Sequence, residues 1–560
     1  MKKHIFLLPA ALFPLLLAAQ TEWKNLDISP AKPRPGETIS LEYNWLQSNL
    51  AQSGNIEVLV LEYVNGQAVG KEVTPRGNGN KLSVSFTAHP DSRVTYVAFY
   101  AGENVDNNAG EGYFIPMYTA SGQVLPESQA AQATMYRSNG ALELNRKSET
   151  TLDLFRQAFA GQPDLRDNSN YFPAYVSAYL GANRNSDDAK KEMLALLGSL
   201  ENNPKAGEKT LVAVAELYGR IAPEKSKPLK DRIIAAYPKS TLARAARLSA
   251  LKMENDVARR TEMIREVAGQ LPAETEQERA LISEAYAATA RQAAEQKNWT
   301  AFAAAADRLP GSDRAAVFND IAWTLAEKNE DIDRAKTLAA EAVEWARMEM
   351  AVPSDPRPAA LTAATWEERR KNNYAMYADT YAYILDKAGD PQSAARYQAE
   401  AVEINRHTNV EFNERFTTYL EKAGSPDLRH QLEGFILKGA ASARMKEQLK
   451  KGYLAEDKSE NGYGNYLAAL EQVARNNLRA ELKRKMLDQP APAFSLKSLE
   501  GKTVTLESLR GKTVVIDFWA TWCGPCKASF PGMQQAVKKF GSDPNVAFVF
   551  VDTWERVDNK

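Results

Sequence analysis

The chain is 560 residues long, 44% hydrophobic and 25% charged, within the range of ordinary globular proteins. Its formal net charge is −1, which excludes the strongly basic footprint of a nucleic-acid or anionic-membrane binder. The length allows about three or four domains, and composition by itself says nothing about chemistry.

The opening "MKKHIFLLPAALFPLLLAAQ" carries Lys2 and Lys3, an apolar run from Ile5 to Ala19, and small residues at Ala18 and Ala19. This is the layout of a secretory signal peptide, expected to be removed near Ala19–Gln20. The run is short for a membrane span and is broken by Pro9 and Pro14. No cysteine lies near it to take a lipid anchor. The expectation is a signal peptide over 1–19, export to an extracytoplasmic space, most simply the periplasm, and no membrane span after cleavage.

Residues 20–125 read as an all-β sandwich. In "TISLEYNW" the apolar positions Ile39, Leu41, Tyr43 and Trp45 alternate, as on a strand with one face buried. "NIEVLVLEYVNG" ends on Asn65-Gly66, a hairpin signal. "KLSVSF" alternates at Leu82, Val84 and Phe86, and "RVTYVAFY" supplies a further strand. The stretch "ISPAKPRPGETISLEYN" resembles the first strands of an immunoglobulin-like domain. "DNNAG" at 106–110 lacks the alternating carboxylates and later Glu of a calcium loop and reads as a turn.

Residues 126–485 are helical and alanine-rich. In "DRAAVFNDIAWTLAEK", Val317, Phe318, Ile321, Ala322 and Leu325 share a helical face, with Ser312 the expected N-cap. Two stretches resemble tetratricopeptide helix pairs. Ala382, Leu385, Ala394 and Ala401 hold that repeat's packing positions in one; Ala322, Leu325, Ala335 and Ala342 do so in the other, with an extra residue in the turn. "AVPSDPRPAALTAATW" interrupts the repeat period. "AAYPKSTLARAARL" resembles another turn and helix of this type. A helical-repeat region of this kind is expected to present a surface to a protein partner, against the plainer alternative of an irregular helical domain. Basic clusters such as "ELKRKM" at 481–486 read as solvated helix faces.

"LDQPAPAF" punctuates the chain. Beyond it, "AFSLKSLEGKTVTLESL" reads as a hairpin, "KTVVIDFWA" as a strand buried on both faces, "ASFPGMQQAVKKF" as a helix containing Pro531, and "NVAFVFVD" as a second buried strand. The GKT triplets at 501 and 511 lack the earlier glycine of a phosphate loop.

The chain has two cysteines, Cys523 and Cys526, in "TWCGPCK". A strand–turn–helix context puts Cys523 at a helix N-terminus, where free backbone N–H groups and the helix dipole favour a thiolate. A zinc site would need further ligands, and beyond the leader the histidines are only His89, His407 and His430. A disulfide closing so short a loop adds little stability. The pair therefore reads as a redox dithiol: Cys523 attacks a partner disulfide and Cys526, expected to be the more buried, resolves the intermediate.

With these residues in view, 486–560 resembles the first half of a thioredoxin-superfamily domain of the exported TlpA-like branch. "APAFSLKSLEGKTVTLESLRGKTVVIDFWATWCGPC" carries that branch's leading hairpin and active-site strand. The resemblance implies a thiol–disulfide oxidoreductase, with Cys523 the nucleophile, Cys526 the resolving thiol, and Trp522 and Pro525 shaping the loop. Asp517 matches the family's buried acid, which assists proton transfer at the second cysteine. The Gly-Pro pair implies reducing activity. No soluble cofactor is implied, since the dithiol is the redox group. Implied partners are protein disulfides and an upstream thiol electron donor. The family fold continues beyond "NVAFVFVDTWERVDNK", so a truncated record or a broken domain is expected, with the central strand short of a neighbour and apolar surface uncovered. The fold class is thus multidomain: an N-terminal β-sandwich, a large α-helical repeat region and an incomplete C-terminal α/β thioredoxin fold. A binding scaffold with a vestigial, redox-incompetent thioredoxin domain is the competing function.

Overall fold

The computed structural model describes residues 23–51, 55–78, 80–102, 104–138, 142–145, 147–251, 254–269, 276–456, 459–486 and 490–553. The expected signal peptide, 1–19, lies outside the described residues. None of the described helices is long and apolar enough to cross a membrane. The chain divides into two compact units, Met1–Ala474 and Arg475–Lys560.

The first unit opens with β1 (Leu26–Ser29), β2 (Thr38–Asn44), β3 (Glu57–Val64), β4 (Gln67–Lys71), β5 (Arg76–Asn78), β6 (Lys81–Thr87), β7 (Ser92–Ala101), β8 (Asn104–Asp106) and β9 (Tyr113–Pro116). One antiparallel sheet runs β1-β2-β6-β5; the other runs β4-β3-β7-β8, with β9 also paired to β7. The sheets differ in a way their sequences explain. β2 and β6 alternate buried and exposed residues, because only one face is covered. β3 and β7 are covered on both faces and are apolar almost throughout. Val60, Val97 and Phe99 point into the sandwich with Ile39, Leu41 and Val84. Leu59, Leu61, Tyr63, Val94, Tyr96 and Ala98 point the other way, into a core shared with helices. The β3–β4 hairpin closes on Asn65 (φ 50°) and Gly66 (φ 90°), the left-handed pair of a two-residue turn.

In the turn at 106–110, the buried Asp106 accepts hydrogen bonds from Tyr43 Oη (2.6 Å), Asn25 Nδ2 (2.8 Å) and Tyr113 Oη (3.0 Å). Its carboxylate is thus committed to tying the sheets together.

The helices follow in series: α1 (Pro126–Ser138), α2 (Ser148–Gly161), α3 (Phe172–Ala182), α4 (Asp187–Glu201), α5 (Glu208–Ile221), α6 (Pro223–Ala236), α7 (Thr241–Ala250), α8 (Val257–Gly269) and α9 (Glu276–Glu295). Then come α10 (Trp299–Ala306), α11 (Gly311–Glu327), α12 (Ile332–Ala351), α13 (Ala363–Lys387), α14 (Pro391–Ile404), α15 (Val410–Lys422), α16 (Leu428–Leu437), α17 (Ala443–Leu454) and α18 (Glu460–Lys485). Successive helices pack as hairpins, and the small residues at the expected crossings are fully buried: Ala322, Ala335 and Ala342 in α11–α12, Ala382, Ala394 and Ala401 in α13–α14. The tighter turn uses Gly389 (φ 85°) and Asp390, which caps α14 by accepting the Ser393 N–H; the looser one uses Asn329 and Asp331 at positive φ, with Asp331 capping α12. Ser312 is not the cap of α11: the helix starts at Gly311, and Pro310 stands in the cap position, two residues earlier than expected.

The interrupting segment has a definite place. The buried Glu349, near the end of α12, accepts hydrogen bonds from Ser354 N, Ser354 Oγ and Asp355 N and folds the chain back on itself. Arg357 then pairs with Glu72, beside β4, and donates to the Leu361 carbonyl.

In the second unit, β10 (Ser495–Lys497) and β11 (Thr503–Thr505) form the expected hairpin, turning at Gly501 (φ 76°). β12 (Thr513–Trp519), α19 (Gly524–Phe540) and β13 (Val546–Asp552) form a β–α–β unit with β12 and β13 parallel. Apolar as these strands are, they are not buried on both faces, and apolar surface is left uncovered as expected for the central strand. Phe518 is 63% exposed, and Ile516 and Phe550 are exposed as well. Among the described residues each of these strands has one sheet neighbour, and α19 covers one face.

Candidate active site: a cysteine pair at a helix start

The site is built by the junction from β12 to α19. Val515, Asp517 and Trp519 alternate onto one face of β12. Trp519 meets Phe530 of α19 edge-on, with ring centroids 5.4 Å apart, so this is the face that the helix covers. The strand ends at Trp519; the next residue, Ala520, is buried, and the Cys523 N–H donates to the Ala520 carbonyl at 3.1 Å, closing a tight turn.

Cys523 is the N-cap of α19. Its backbone is extended (φ −83°, ψ 99°), and its Sγ accepts a hydrogen bond from the Cys526 N–H at 3.2 Å. The cap position thus places sulfur where helices usually place an oxygen, on a first-turn N–H that would otherwise be unpaired. That N–H and the positive end of the helix are what stabilise a thiolate. Pro525 occupies the first turn, where its missing N–H costs nothing. Cys523 and Cys526 are joined by a disulfide, with Cα atoms 5.3 Å apart.

Both cysteines are partly buried. What separates them is hydrogen bonding: Cys523 Sγ is the one that receives a backbone N–H. Trp522, beside the nucleophile position, is 49% exposed and flanks the loop on its solvent side.

Asp517 lies on the face of β12 that α19 covers, on the strand leading into the cysteine loop. The residue is half-buried rather than fully buried, yet its Oδ2 is closed off from solvent and has no hydrogen-bond donor. An acceptor in that condition is costly unless it is used. The residues that sequence reasoning missed are Trp519 and Phe530, which pack strand against helix, and the buried Ala520 between strand and loop. The i, i+2 spacing of Asp517 and Trp519 was the available signal. Among the described residues no group of three His, Cys, Asp or Glu side chains is placed to hold a metal ion.

Comparison with known proteins agrees with this geometry. Residues 487–559 match the AhpC/TSA family. The thioredoxin-like protein YneN of Bacillus subtilis (strain 168) is 38% identical over 72 residues, 13% of this chain and 42% of that protein. The thiol-disulfide oxidoreductase ResA of the same organism is 45% identical over 65 residues, 12% of this chain and 36% of ResA. The thiol:disulfide interchange protein DsbE of Pseudomonas fluorescens biotype C is 41% identical over 61 residues, 11% of this chain and 34% of DsbE. The chain therefore spans less than half the length of these relatives. Among solved structures, a chain of the APC/C hetero-tetramer Cut9-Hcn1 overlaps 58% of this chain at 10% identity and a TM-score of 0.22, too low to bear on the fold.

Proposed function

Taking residues 487–559 as a thioredoxin-like domain of the AhpC/TSA family, we propose that the protein is an exported thiol–disulfide oxidoreductase that reduces protein disulfides. The observation that carries this is the placement of Cys523 as the N-cap of α19 with Cys526 bonded to it one turn on. In the reduced protein, the Cys523 thiolate attacks one sulfur of a substrate disulfide and expels the other as a thiolate. A mixed disulfide joins Cys523 to the substrate. The Cys526 thiol then loses its proton and attacks Cys523 Sγ, releasing the second substrate sulfur and forming the Cys523–Cys526 disulfide. Two electrons pass to the substrate, and an upstream thiol donor returns the pair to the dithiol. The dithiol itself serves as the redox group.

Asp517 takes up the Cys526 proton during resolution, which gives its donor-free Oδ2 a use. Trp522 and Pro525 shape the loop against which the substrate backbone lies. The leader, Met1–Ala19, directs export, with the periplasm the expected destination, and the helical region binds a protein partner.

Insulin reduction tests the reading on protein purified from the cells that make it. Turnover driven by a small thiol, abolished by Cys523→Ser, is the expected result. Absence of turnover favours the alternative, a binding scaffold with a redox-incompetent domain. The open apolar surface around Phe518 is the observation on that side.

A further inference from the structure

β4 is the outermost strand of its sheet. At five residues it is the longest open edge among the described strands of the sandwich, against four in β1 and β9 and three in β5 and β8. Its register shows which backbone groups are already spent. The two-residue turn at Asn65-Gly66 makes Val64 and Gln67 a hydrogen-bonded pair, and alternation then assigns Val69 and Lys71 to the ladder with β3. Ala68 and Gly70 turn their N–H and C=O groups outward, and among the described residues no backbone group meets them.

A groove of about 550 Å³ runs along this strand, with Gln67, Val69 and Glu72 on one wall and Arg357 and Thr362 on the other. Ala359 closes over the face of Gly70, where a Cβ would meet the Ala359 Cα at 3.0 Å, yet Gly70 itself stays exposed. The 357–363 segment thus covers a face of β4 and leaves its edge open. The usual protections of an edge are missing: β4 has no proline and no bulge. Lys71, the one charge in the strand, is drawn back onto Glu62 and the Thr87 carbonyl. The charges beside the groove cancel, Arg357 against Glu72 and Lys71 against Glu62, so nothing there selects a charged ligand.

We propose that the edge of β4 is a docking site for an extended, uncharged segment of an unfolded polypeptide, taken up as an added strand. The outward N–H and C=O groups of Ala68 and Gly70 recur every second residue, about 7 Å apart, a spacing that another extended backbone repeats. The five residues of β4 span about 17 Å, which sets the reach of the pairing. A helix offers no match, because its backbone groups are spent on its own turns everywhere but at its ends. Unfolded chains are the substrate class of a reductase of protein disulfides. The inference rests on that reading for its partner and places the holding site in the sandwich.

The probe is a capped, labelled peptide of alternating Val and Ser, about eight residues long, beside the same peptide N-methylated at its central amides, which keeps the side chains and removes the donors. Fluorescence anisotropy follows binding to the full chain bearing Cys523→Ser and Cys526→Ser, so redox activity plays no part. The expected result is saturable binding, at least about tenfold weaker for the methylated peptide. Bound peptide should slow hydrogen exchange at Ala68 and Gly70 and leave Val69 and Lys71, already paired to β3, unchanged. Ala68→Pro deletes one outward donor and keeps the ladder to β3; it should weaken binding at least about tenfold with an unchanged circular dichroism melt. Should that substitution disturb the melt, the exchange pattern of the unsubstituted edge decides alone. Equal binding of both peptides, no binding of either, or slowed exchange confined to other residues overturns the proposal. Concentration-dependent protection of Ala68 and Gly70 without peptide assigns the edge to a second copy and overturns it as well. Insulin turnover of the unsubstituted protein is followed separately: turnover without peptide binding refutes the docking alone, and binding without turnover refutes the reductase alone.

Discussion

The Glu57 carboxylate at the start of β3 accepts the Ala364 N–H at the start of α13, at 3.0 and 3.2 Å, across 307 residues of sequence. Thr362 caps the same helix locally by accepting the Thr365 N–H, so two of its four orphan donors are satisfied from opposite ends of the unit. Glu57→Ala is expected to cost about 1 kcal/mol in urea unfolding. Glu57→Gln, which keeps an acceptor but loses the charge, should cost roughly half of that. Hydrogen exchange at Ala364 should accelerate in both. Unchanged exchange there would show that the contact contributes nothing.

A close approach of backbone to backbone sits beside that cap. A Cβ on Gly70 of β4 would meet Ala359 Cα at 3.0 Å, whereas one on Gly77 of β5 would meet nothing within 4 Å. Gly70→Val is therefore expected to lift the 352–362 segment from the sheet, with faster exchange there and a loss of about 1–3 kcal/mol. Gly77→Val is the control for β-branching alone. Similar effects from the two substitutions would refute the docking.

The same segment should loosen in acid. Burial pushes the Glu349 carboxyl up, but the hydrogen bonds from Ser354 and Asp355 and the nearby Arg370 charge outweigh it and hold it below its ordinary value of 4.5. A carboxyl depressed in the folded state stabilises above its unfolded value, and that contribution is lost as pH falls through the folded one. Exchange protection at Ser354 and Asp355 should hold from neutrality to about pH 5 and fall at more acid pH. Glu349→Gln should lower protection at pH 7 and flatten the profile.

The unequal roles of the cysteines give an outcome readable by mass. Cys526→Ser should accumulate a mixed disulfide between Cys523 and a substrate, because nothing resolves it. Cys523→Ser should trap none. Trapping by both variants in equal amount would mean that the hydrogen bond from Cys526 N to Cys523 Sγ does not set the order of attack.

Asp517→Asn exchanges the donor-free Oδ2 for an amide or its carbonyl and removes the proton acceptor proposed above. Release of the mixed disulfide should slow by about tenfold or more, with alkylation of reduced Cys523 by iodoacetamide little changed. Equal slowing of both would point to a disturbed loop instead of lost proton transfer.

Much of this was legible from local pattern. Alternation in "TISLEYN" and "KLSVSF" gave one-faced strands, Asn65-Gly66 gave the hairpin, and small residues at helical spacing gave the helix pairs. The strand, turn and helix around Cys523 and Cys526 were also readable, because N-capping is decided by residues within one turn of each other. In "KTVVIDFWA" the apolar run marked a strand suited to burial; such a run records which residues can be buried and not which neighbours arrive to bury them, and Phe518 stays exposed.

By itself, then, the sequence determined the order of element types and the placement of the cysteine pair at a helix start, both products of short-range geometry. Tertiary structure alone decided that β3 and β7 face two cores and that Glu57 caps α13. Those contacts join residues tens to hundreds of positions apart. Loop-closure entropy grows only slowly with that separation, so no periodicity in the chain marks which distant pairs will meet, and packing makes the choice.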